Sequence, residues 1–93
     1  MMSKLDIRYL SKTYTKKQLT KLTELRLDKS QIDEIDTNVF ENITNLTILS
    51  LSYNGLTKIV GNSTFKQLTY LSRLRLNNNQ LEKIDANVFE TCS

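Results

Sequence analysis

The 93-residue chain contains no histidine, a single cysteine and only two glycines. Without histidine there is no imidazole base, so a Ser-His-Asp relay is excluded. The lone Cys92 cannot form an internal disulfide and does not provide the several ligands of the common zinc sites. Gly55 and Gly61 do not make a glycine-rich phosphate loop. These absences predict a protein that is not an enzyme and that uses no metal or other cofactor.

Long hydrophobic runs are also missing. No apolar stretch approaches the roughly 18 residues that a membrane-spanning helix needs. Residues 1–10 are polar and charged, with no apolar segment typical of a secretory signal peptide, which favours a cytoplasmic location. An extracellular location remains open if the sequence is a piece of a longer protein. The Asn-x-Thr sequons at Asn42, Asn45 and Asn62 are weak evidence for secretion.

Charge is unevenly distributed along the chain. Residues 1–21 carry six basic side chains against one acidic side chain, for a net charge of +5, whereas residues 22–93 carry seven basic and nine acidic side chains, for a net charge of −2. Such an asymmetry permits attachment to an anionic surface. We favour the alternative that the basic segment is a solvated end that keeps the chain soluble.

One leucine pattern occurs three times. The spacing Leu22-x-x-Leu25-x-Leu27 recurs from Leu46 and again from Leu71, at intervals of 24 and 25 residues. Self-similarity with a period of about 20–50 residues is the signature of stacked-repeat proteins. The pattern therefore predicts a repeat architecture and directs the search for function to a repeated surface.

Each repeat extends beyond its leucines. Counted from the first leucine, with one extra residue allowed between Ile59 and Phe65 in the second repeat, positions 11, 14, 19 and 22 are also apolar. Position 9 is Asn54 or Asn79, with Ser30 in the first repeat. The apolar residues are Ile32, Ile35, Phe40 and Ile43, then Leu56, Ile59, Phe65 and Leu68, then Leu81, Ile84, Phe89 and Cys92. This pattern resembles the leucine-rich repeat, and phenylalanine at position 19 after Val39 or Val88 resembles its typical 24-residue subclass. The resemblance covers residues 22–93.

The repeat and the resemblance imply an α/β solenoid. We expect a short right-handed stack of coils, with a parallel β-sheet on the concave face and an irregular or short-helical convex side. The single domain would comprise a degenerate half-repeat or cap over residues 1–21 and three repeats over 22–45, 46–70 and 71–93. In the cap, the aligned Ile7, Leu10 and Leu19 would occupy core positions, and residues 14–21 would contain a helical turn. The apolar last repeat indicates a fragment, a shortened copy or an end that a partner covers.

Several residues are expected to have structural roles. Alternation along each strand should line up Leu25, Leu49 and Leu74 in the core. Because buried backbone groups need partners, Asn54 and Asn79 are interpreted as a hydrogen-bond ladder, with a weaker rung at Ser30. The three phenylalanines at position 19 are expected to stack as a core spine.

The variable positions 3, 5, 7 and 8 of each repeat should project from the exposed face of the sheet. In leucine-rich repeats such residues usually bind the ligand, and the resemblance implies the same here. The predicted partner-binding residues are Glu24, Arg26, Asp28, Ile48, Ser50, Ser52, Tyr53, Arg73, Arg75 and Asn77, with Lys29 and Asn78 on the same face. Arginine and tyrosine are enriched at interaction hot spots. A protein partner with acidic groups around a small apolar centre would suit this set.

Three functions remain open at this stage. We favour a protein–protein interaction module that binds its partner through the concave sheet. The first alternative is an electrostatic anchor to an anionic membrane or nucleic acid through the basic segment 4–21, which would show steep salt dependence. The second is a structural fragment of a larger leucine-rich-repeat receptor ectodomain, with no activity alone.

Overall fold

A computed structural model describes residues 3–36, 38–57 and 63–80. In these ranges the chain forms five short strands and three short helices, in the order β1 (Ser3–Leu5), α1 (Ile7–Ser11), α2 (Lys16–Lys21), β2 (Glu24–Arg26), β3 (Ile32–Ile35), β4 (Ile48–Ser50), α3 (Ser63–Lys66) and β5 (Arg73–Arg75). No helix in these ranges is long and apolar enough to cross a membrane.

Three strands, one from each predicted repeat, form a parallel sheet that we call the front sheet. Its order is β2–β4–β5, and its register places Leu25 opposite Leu49 and Leu49 opposite Leu74. Leu25 and Leu49 are buried and Leu74 is partly buried, whereas Arg26 and Arg75 are exposed. The predicted alignment of the three leucines is therefore confirmed, and the arginines lie on the opposite face as alternation requires.

A second parallel sheet, the rear sheet, consists of β1 and β3. Its register pairs Leu5 with Ile35, and an irregularity separates the pairs of Ser3 and Lys4. The segments that connect the front strands were expected to be irregular or short-helical. They contain the short helix α3 but also β3, so this part of the chain is more regular than predicted.

The core follows the predicted repeat positions. Fully or nearly fully buried side chains at these positions are Leu25, Ile32, Phe40, Ile43, Leu46, Leu49, Leu51, Leu56, Phe65, Leu68 and Leu71. Each such burial stabilises the fold by about 1.5–3 kcal/mol. The rings of Phe40 and Phe65 stack with their centroids 5.8 Å apart, which confirms these two members of the spine. The predicted core positions 59, 81, 84, 89 and 92 lie outside the described residues.

The segment before the first repeat closes the core with two capped helices. Helix α2 confirms the helical turn expected in residues 14–21, and it begins with a capping box between Thr15 and Gln18. Helix α1 begins after Asp6, whose carboxylate accepts a hydrogen bond from the Tyr9 N–H at 2.9 Å. Each cap satisfies backbone donors that the first turn of a helix leaves unpaired.

The prediction that Ile7 of this segment lies in the core is wrong. Leu10 and Leu19 are buried as expected, but Ile7 is 42% exposed, and fully buried Leu5 contributes to the core instead. The physical reason is the strand β1, which pairs Leu5 with Ile35 and thereby places it in the rear sheet. Since the helix cap at Asp6 then turns the chain, Ile7 is the first residue of α1 and faces solvent.

The burial of Leu5 in place of Ile7 has a measurable consequence. Leu5→Ala is expected to lower the free energy of unfolding by about 2–5 kcal/mol, the usual cost of a leucine deletion in a core. Ile7→Ala, the matched control, should cost less than about 1 kcal/mol because the side chain is largely solvated. Urea unfolding followed by circular dichroism measures both. Equal effects of the two variants would mean that the register of β1 is wrong.

Candidate functional site

Polar and charged side chains lie in rows across the face of the front sheet opposite to its leucines. The register of β2, β4 and β5 aligns six of the predicted site residues in two rows of three. These rows are Glu24–Ile48–Arg73 and Arg26–Ser50–Arg75. Neighbouring strands are about 4.7–4.9 Å apart, so the members of a row are close enough to act on one ligand.

A third row follows the strands. The Lys29 N–H donates to the Ser52 carbonyl, and the Tyr53 N–H donates to the Asn77 carbonyl, each at 3.1 Å. These bonds continue the parallel pairing and place Ser52 between Asp28 and Asn77. The structure thus brings all ten predicted partner-binding residues onto adjacent repeats.

Two of those residues are not exposed as predicted. Ser50 is 1% exposed and Ser52 is 5% exposed. The Asp28 Oδ1 accepts from the Ser50 hydroxyl at 2.6 Å and from the Ser52 N–H at 2.8 Å, and the Ser52 hydroxyl donates to the Asn77 side-chain oxygen. The expectation of free serine side chains was wrong, because their larger neighbours cover them. The serines instead hold Asp28 and Asn77 in place.

Glu24 and Arg26 neutralise each other at one end of the face. The Arg26 Nε donates to the Glu24 Oε2 at 2.7 Å, and both side chains are about half exposed. The hydrogen bond from Arg26 and its positive charge lower the pKa of Glu24, and the charge of Arg73 lowers it further. In return, the hydrogen bond to Glu24 and the negative charge of that carboxylate raise the pKa of Arg26. An exposed pair of this kind contributes little to stability, so it mainly sets the local charge.

The titration of Glu24 tests this arrangement. A carboxyl group with a lowered pKa stays ionised, and paired, until the pH falls through that pKa, so the pair is present at neutral pH and lost in acid. Arg26→Gln should raise the Glu24 midpoint more than Arg73→Gln does, because only Arg26 donates a hydrogen bond to the carboxylate. Carboxyl-carbon NMR against pH reports the midpoints. Equal shifts in the two variants would contradict the pairing.

Arg73 and Arg75 carry the positive charge at the other end. Both are exposed on β5, and within the described part of the chain neither forms an ion pair. Ile48, half-buried, lies next to Arg73 in its row. A guanidinium group presents its donors in a planar fork that fits a carboxylate. This end of the face can therefore bind an acidic group beside an apolar contact.

Tyr53 and Lys29 border the face where the chain turns away from the sheet. Tyr53 is 53% exposed, and the Lys29 ammonium lies 5.5 Å from the centroid of its ring, within the range of a cation–π contact. Both residues have left-handed backbone angles, φ 57° and φ 55°, and Asn78 at the same repeat position has φ 60°. This conformation costs a non-glycine residue roughly 1–2 kcal/mol, so the surrounding repeat must enforce it.

Asparagines at position 9 hold these turns. The Asn54 Oδ1 accepts from the N–H groups of Ser30 and Ile32 at 2.9 and 3.1 Å, and its Nδ2 donates to the Leu27 carbonyl at 2.9 Å. Asn79 makes corresponding bonds one repeat later. The predicted hydrogen-bond ladder is confirmed. Because it bonds to the preceding repeat, it also fixes the spacing between the turns that border the site.

A second hydrogen-bond ladder, formed by the residues at position 2 of the repeats, was not predicted from the sequence. The N–H and hydroxyl of Thr47 both donate to the Thr23 carbonyl, at 2.8 and 2.9 Å, and those of Ser72 donate to the Thr47 carbonyl, at 2.8 and 3.1 Å. The available signal was a hydroxyl residue directly after the first leucine of every repeat. These bonds stabilise the register that aligns the polar rows.

Comparisons with known proteins bear on the repeat. A family model described as "BspA type Leucine rich repeat region (6 copies)" matches residues 11–93. No curated protein and no solved structure matches the chain. Among the described residues, no group of three or more histidine, cysteine, aspartate or glutamate side chains could hold a metal ion.

Proposed function

The chain belongs to the leucine-rich repeat family, and from this premise we propose that it captures a partner protein on the polar face of its front sheet. Regions of this family generally mediate protein–protein interactions and are typically not enzymes. The family model that matches describes the BspA type of repeat, whereas the phenylalanine positions in the sequence resemble the typical subclass. The observation that carries the proposal is the register that places Arg73 beside Ile48 and Arg75 beside Ser50 on the same face.

The same proposal includes the architecture around the face. We infer a right-handed solenoid in which residues 22–45, 46–70 and 71–93 form the coils, residues 1–21 form the cap, and the front sheet lies on the concave side. In support, each of the three segments contributes one strand to the front sheet in unbroken register. Repeats of this kind bury a continuous core only when they stack.

The partner would carry acidic groups around a small apolar group. Arg73 and Arg75 supply exposed guanidinium groups, and the half-buried Ile48 and exposed Tyr53 supply apolar and aromatic contact. Charge-assisted bonds from arginine to carboxylate are among the stronger polar interactions. The remaining members of the binding set are Glu24, Arg26, Asp28 and Asn77. Ser50 and Ser52 support them from below.

The direct test is capture of a partner by the immobilised chain, with a variant of the polar face as the comparison. The proposal requires that the captured protein be released when Arg73 and Tyr53 are changed. Capture that is indifferent to these residues would exclude the front sheet as the binding surface.

The electrostatic anchor remains the second candidate because of one observation. All six basic side chains of residues 4–21 are exposed, namely Lys4, Arg8, Lys12, Lys16, Lys17 and Lys21. Binding to anionic vesicles or nucleic acid through them would fall steeply with salt. It would be lost when Lys12, Lys16, Lys17 and Lys21 are replaced by glutamine, and it would survive changes at Arg73 and Tyr53. This pattern would distinguish the anchor from capture on the front sheet.

A further inference from the structure

The two sheets end at different levels at the N-terminal side of the fold. Strand β3 follows β2 within the same repeat, and β1 pairs with β3, so β1 extends the rear sheet one strand beyond the first repeat. The front sheet begins at β2, and no strand among the described residues pairs with its outer edge. The front sheet is therefore one strand shorter than the rear sheet at this end.

The backbone groups at the outer edge of β2 have no partner in the part of the chain that the structure describes. The Thr23 carbonyl accepts from the second repeat, and the N–H groups of Leu27 and Lys29 donate to carbonyls of that repeat, so these three groups point toward β4. In a parallel strand, successive residues direct their backbone groups to alternate sides. The N–H and C=O groups of Glu24 and Arg26 consequently point outward. An open edge of this kind is a template for an added strand.

Thr23 has the donors that such a strand would use. Its counterparts Thr47 and Ser72 each donate both an N–H and a hydroxyl to a carbonyl of the preceding repeat. Thr23 is exposed, and neither its N–H nor its hydroxyl donates to any residue that the structure describes. The first repeat thus has two donors in position for a carbonyl of one more neighbour.

The turn of the first repeat is built differently. Asn54 and Asn79 each reach back to a carbonyl of the preceding repeat, whereas the Ser30 hydroxyl donates to the Asp28 carbonyl of its own repeat. Among the described residues, the Ser30 side chain therefore makes no bond toward an earlier neighbour. The position beside β2 is adapted to a short extended segment along residues 23–26 and not to a whole additional repeat.

We propose that an extended segment of a partner protein adds to the front sheet as a parallel strand beside β2. The occupant is defined by the rows that it would continue: a basic residue beside Glu24, an apolar residue beside Leu25 and an acidic residue beside Arg26. Each choice complements the side chain at the same level of β2. This site uses the backbone of the sheet edge. It shares the Glu24 and Arg26 side chains with the surface proposed above, but it does not involve Arg73 or Tyr53.

A short peptide tests the site. The capped peptide Thr-Lys-Leu-Glu-Leu supplies the required order, and the capped peptide Thr-Glu-Leu-Lys-Leu reverses the two charges without changing composition. Titration into the isotope-labelled chain should give saturable NMR shifts at the amides of Glu24 and Arg26. The reversed peptide should bind at least about threefold more weakly, as expected for unfavourable charge pairs across strands. Shifts confined to β5, or equal binding of both peptides, would overturn the proposal.

Two substitutions at Arg26 separate the backbone from the side chain. Arg26→Pro removes the outward N–H and Arg26→Ala keeps it, while both remove the guanidinium group. Proline is tolerated at a sheet edge because the missing donor is not part of the existing ladder. Arg26→Pro should bind the peptide at least about tenfold more weakly than Arg26→Ala, the effect of one lost hydrogen bond. Equal binding by the two variants would contradict strand addition.

Further variants keep the site testable if Arg26→Pro does not fold, and they distinguish peptide binding at β2 from partner capture on the front sheet. If Arg26→Pro unfolds, Thr23→Val removes an exposed hydroxyl donor and should weaken peptide binding by about threefold. The variant Arg73→Glu with Tyr53→Ala should bind the peptide as the unmodified chain does, whatever its effect on partner capture. Sedimentation tests whether a second copy of the chain binds at the edge of β2 instead. A dimer that Arg26→Pro abolishes would show that it does, and would overturn the assignment to a partner segment.

Discussion

Simultaneous replacement of Arg73 by glutamate and Tyr53 by alanine is expected to abolish partner capture. Truncating a single hot-spot residue costs about 2 kcal/mol or more, so the affinity should fall by at least about thirtyfold. Both side chains are exposed, and neither contributes to the buried core. The thermal unfolding midpoint measured by circular dichroism should therefore stay nearly unchanged, and the loss would report on binding alone.

A matched control lies elsewhere on the chain. Tyr70 is 66% exposed and Lys66 is exposed, and both lie outside the front sheet. Lys66→Glu with Tyr70→Ala makes a similar change of charge and loses the same aromatic ring, but it leaves the polar rows intact. Capture should persist in this control. Equal loss in both double variants would show that net charge decides the binding and that the rows of the front sheet do not.

Asn54→Ala is expected to have the largest effect on stability among changes to partly exposed residues. The substitution leaves the N–H groups of Ser30 and Ile32 and the Leu27 carbonyl without their side-chain partner, whereas the Leu51 carbonyl keeps a bond from Asn79. Unsatisfied buried groups cost about 1–3 kcal/mol each, and partial access to water reduces this, so we expect a total loss of about 2–4 kcal/mol. Urea unfolding followed by circular dichroism would measure it.

Asn45→Ala provides the corresponding control. The Asn45 side chain is exposed and donates one hydrogen bond, at 2.8 Å, to the Thr20 carbonyl. Its removal should cost about 1 kcal/mol or less, because water replaces a bond at the surface. If Asn54→Ala were no more destabilising than Asn45→Ala, the ladder at position 9 would not hold the turns between repeats.

Much of the front sheet could be predicted from the spacing of residues. The leucines at positions 4 and 6 must alternate with outward residues along a strand, so the period alone predicts which side chains share a face. The structure confirms this for Leu25, Leu49 and Leu74, and for the exposed Arg26 and Arg75. The role of asparagine at position 9 was also predictable, since buried turns need an amide to satisfy the backbone.

The environment of small polar side chains could not be predicted in this way. Ser50 and Ser52 occupy outward positions in the pattern, but they are buried because Asp28 and Asn77 of the neighbouring repeats reach across them. That contact depends on the lengths of side chains that are 22–25 residues apart in sequence. A pattern of single positions contains no information on such pairs until the register is known.

The sequence by itself determined the family, the repeat period and the strand faces, because leucines at a constant interval can be buried together only if successive repeats lie side by side. Only the tertiary structure decided how the first repeat is closed. Pairing of β1 with β3 buried Leu5 in place of Ile7, and it left the outer edge of β2 without a partner strand among the described residues. Where the periodic pattern stops, contacts between distant segments select the arrangement, and their energies depend on the geometry of the folded chain.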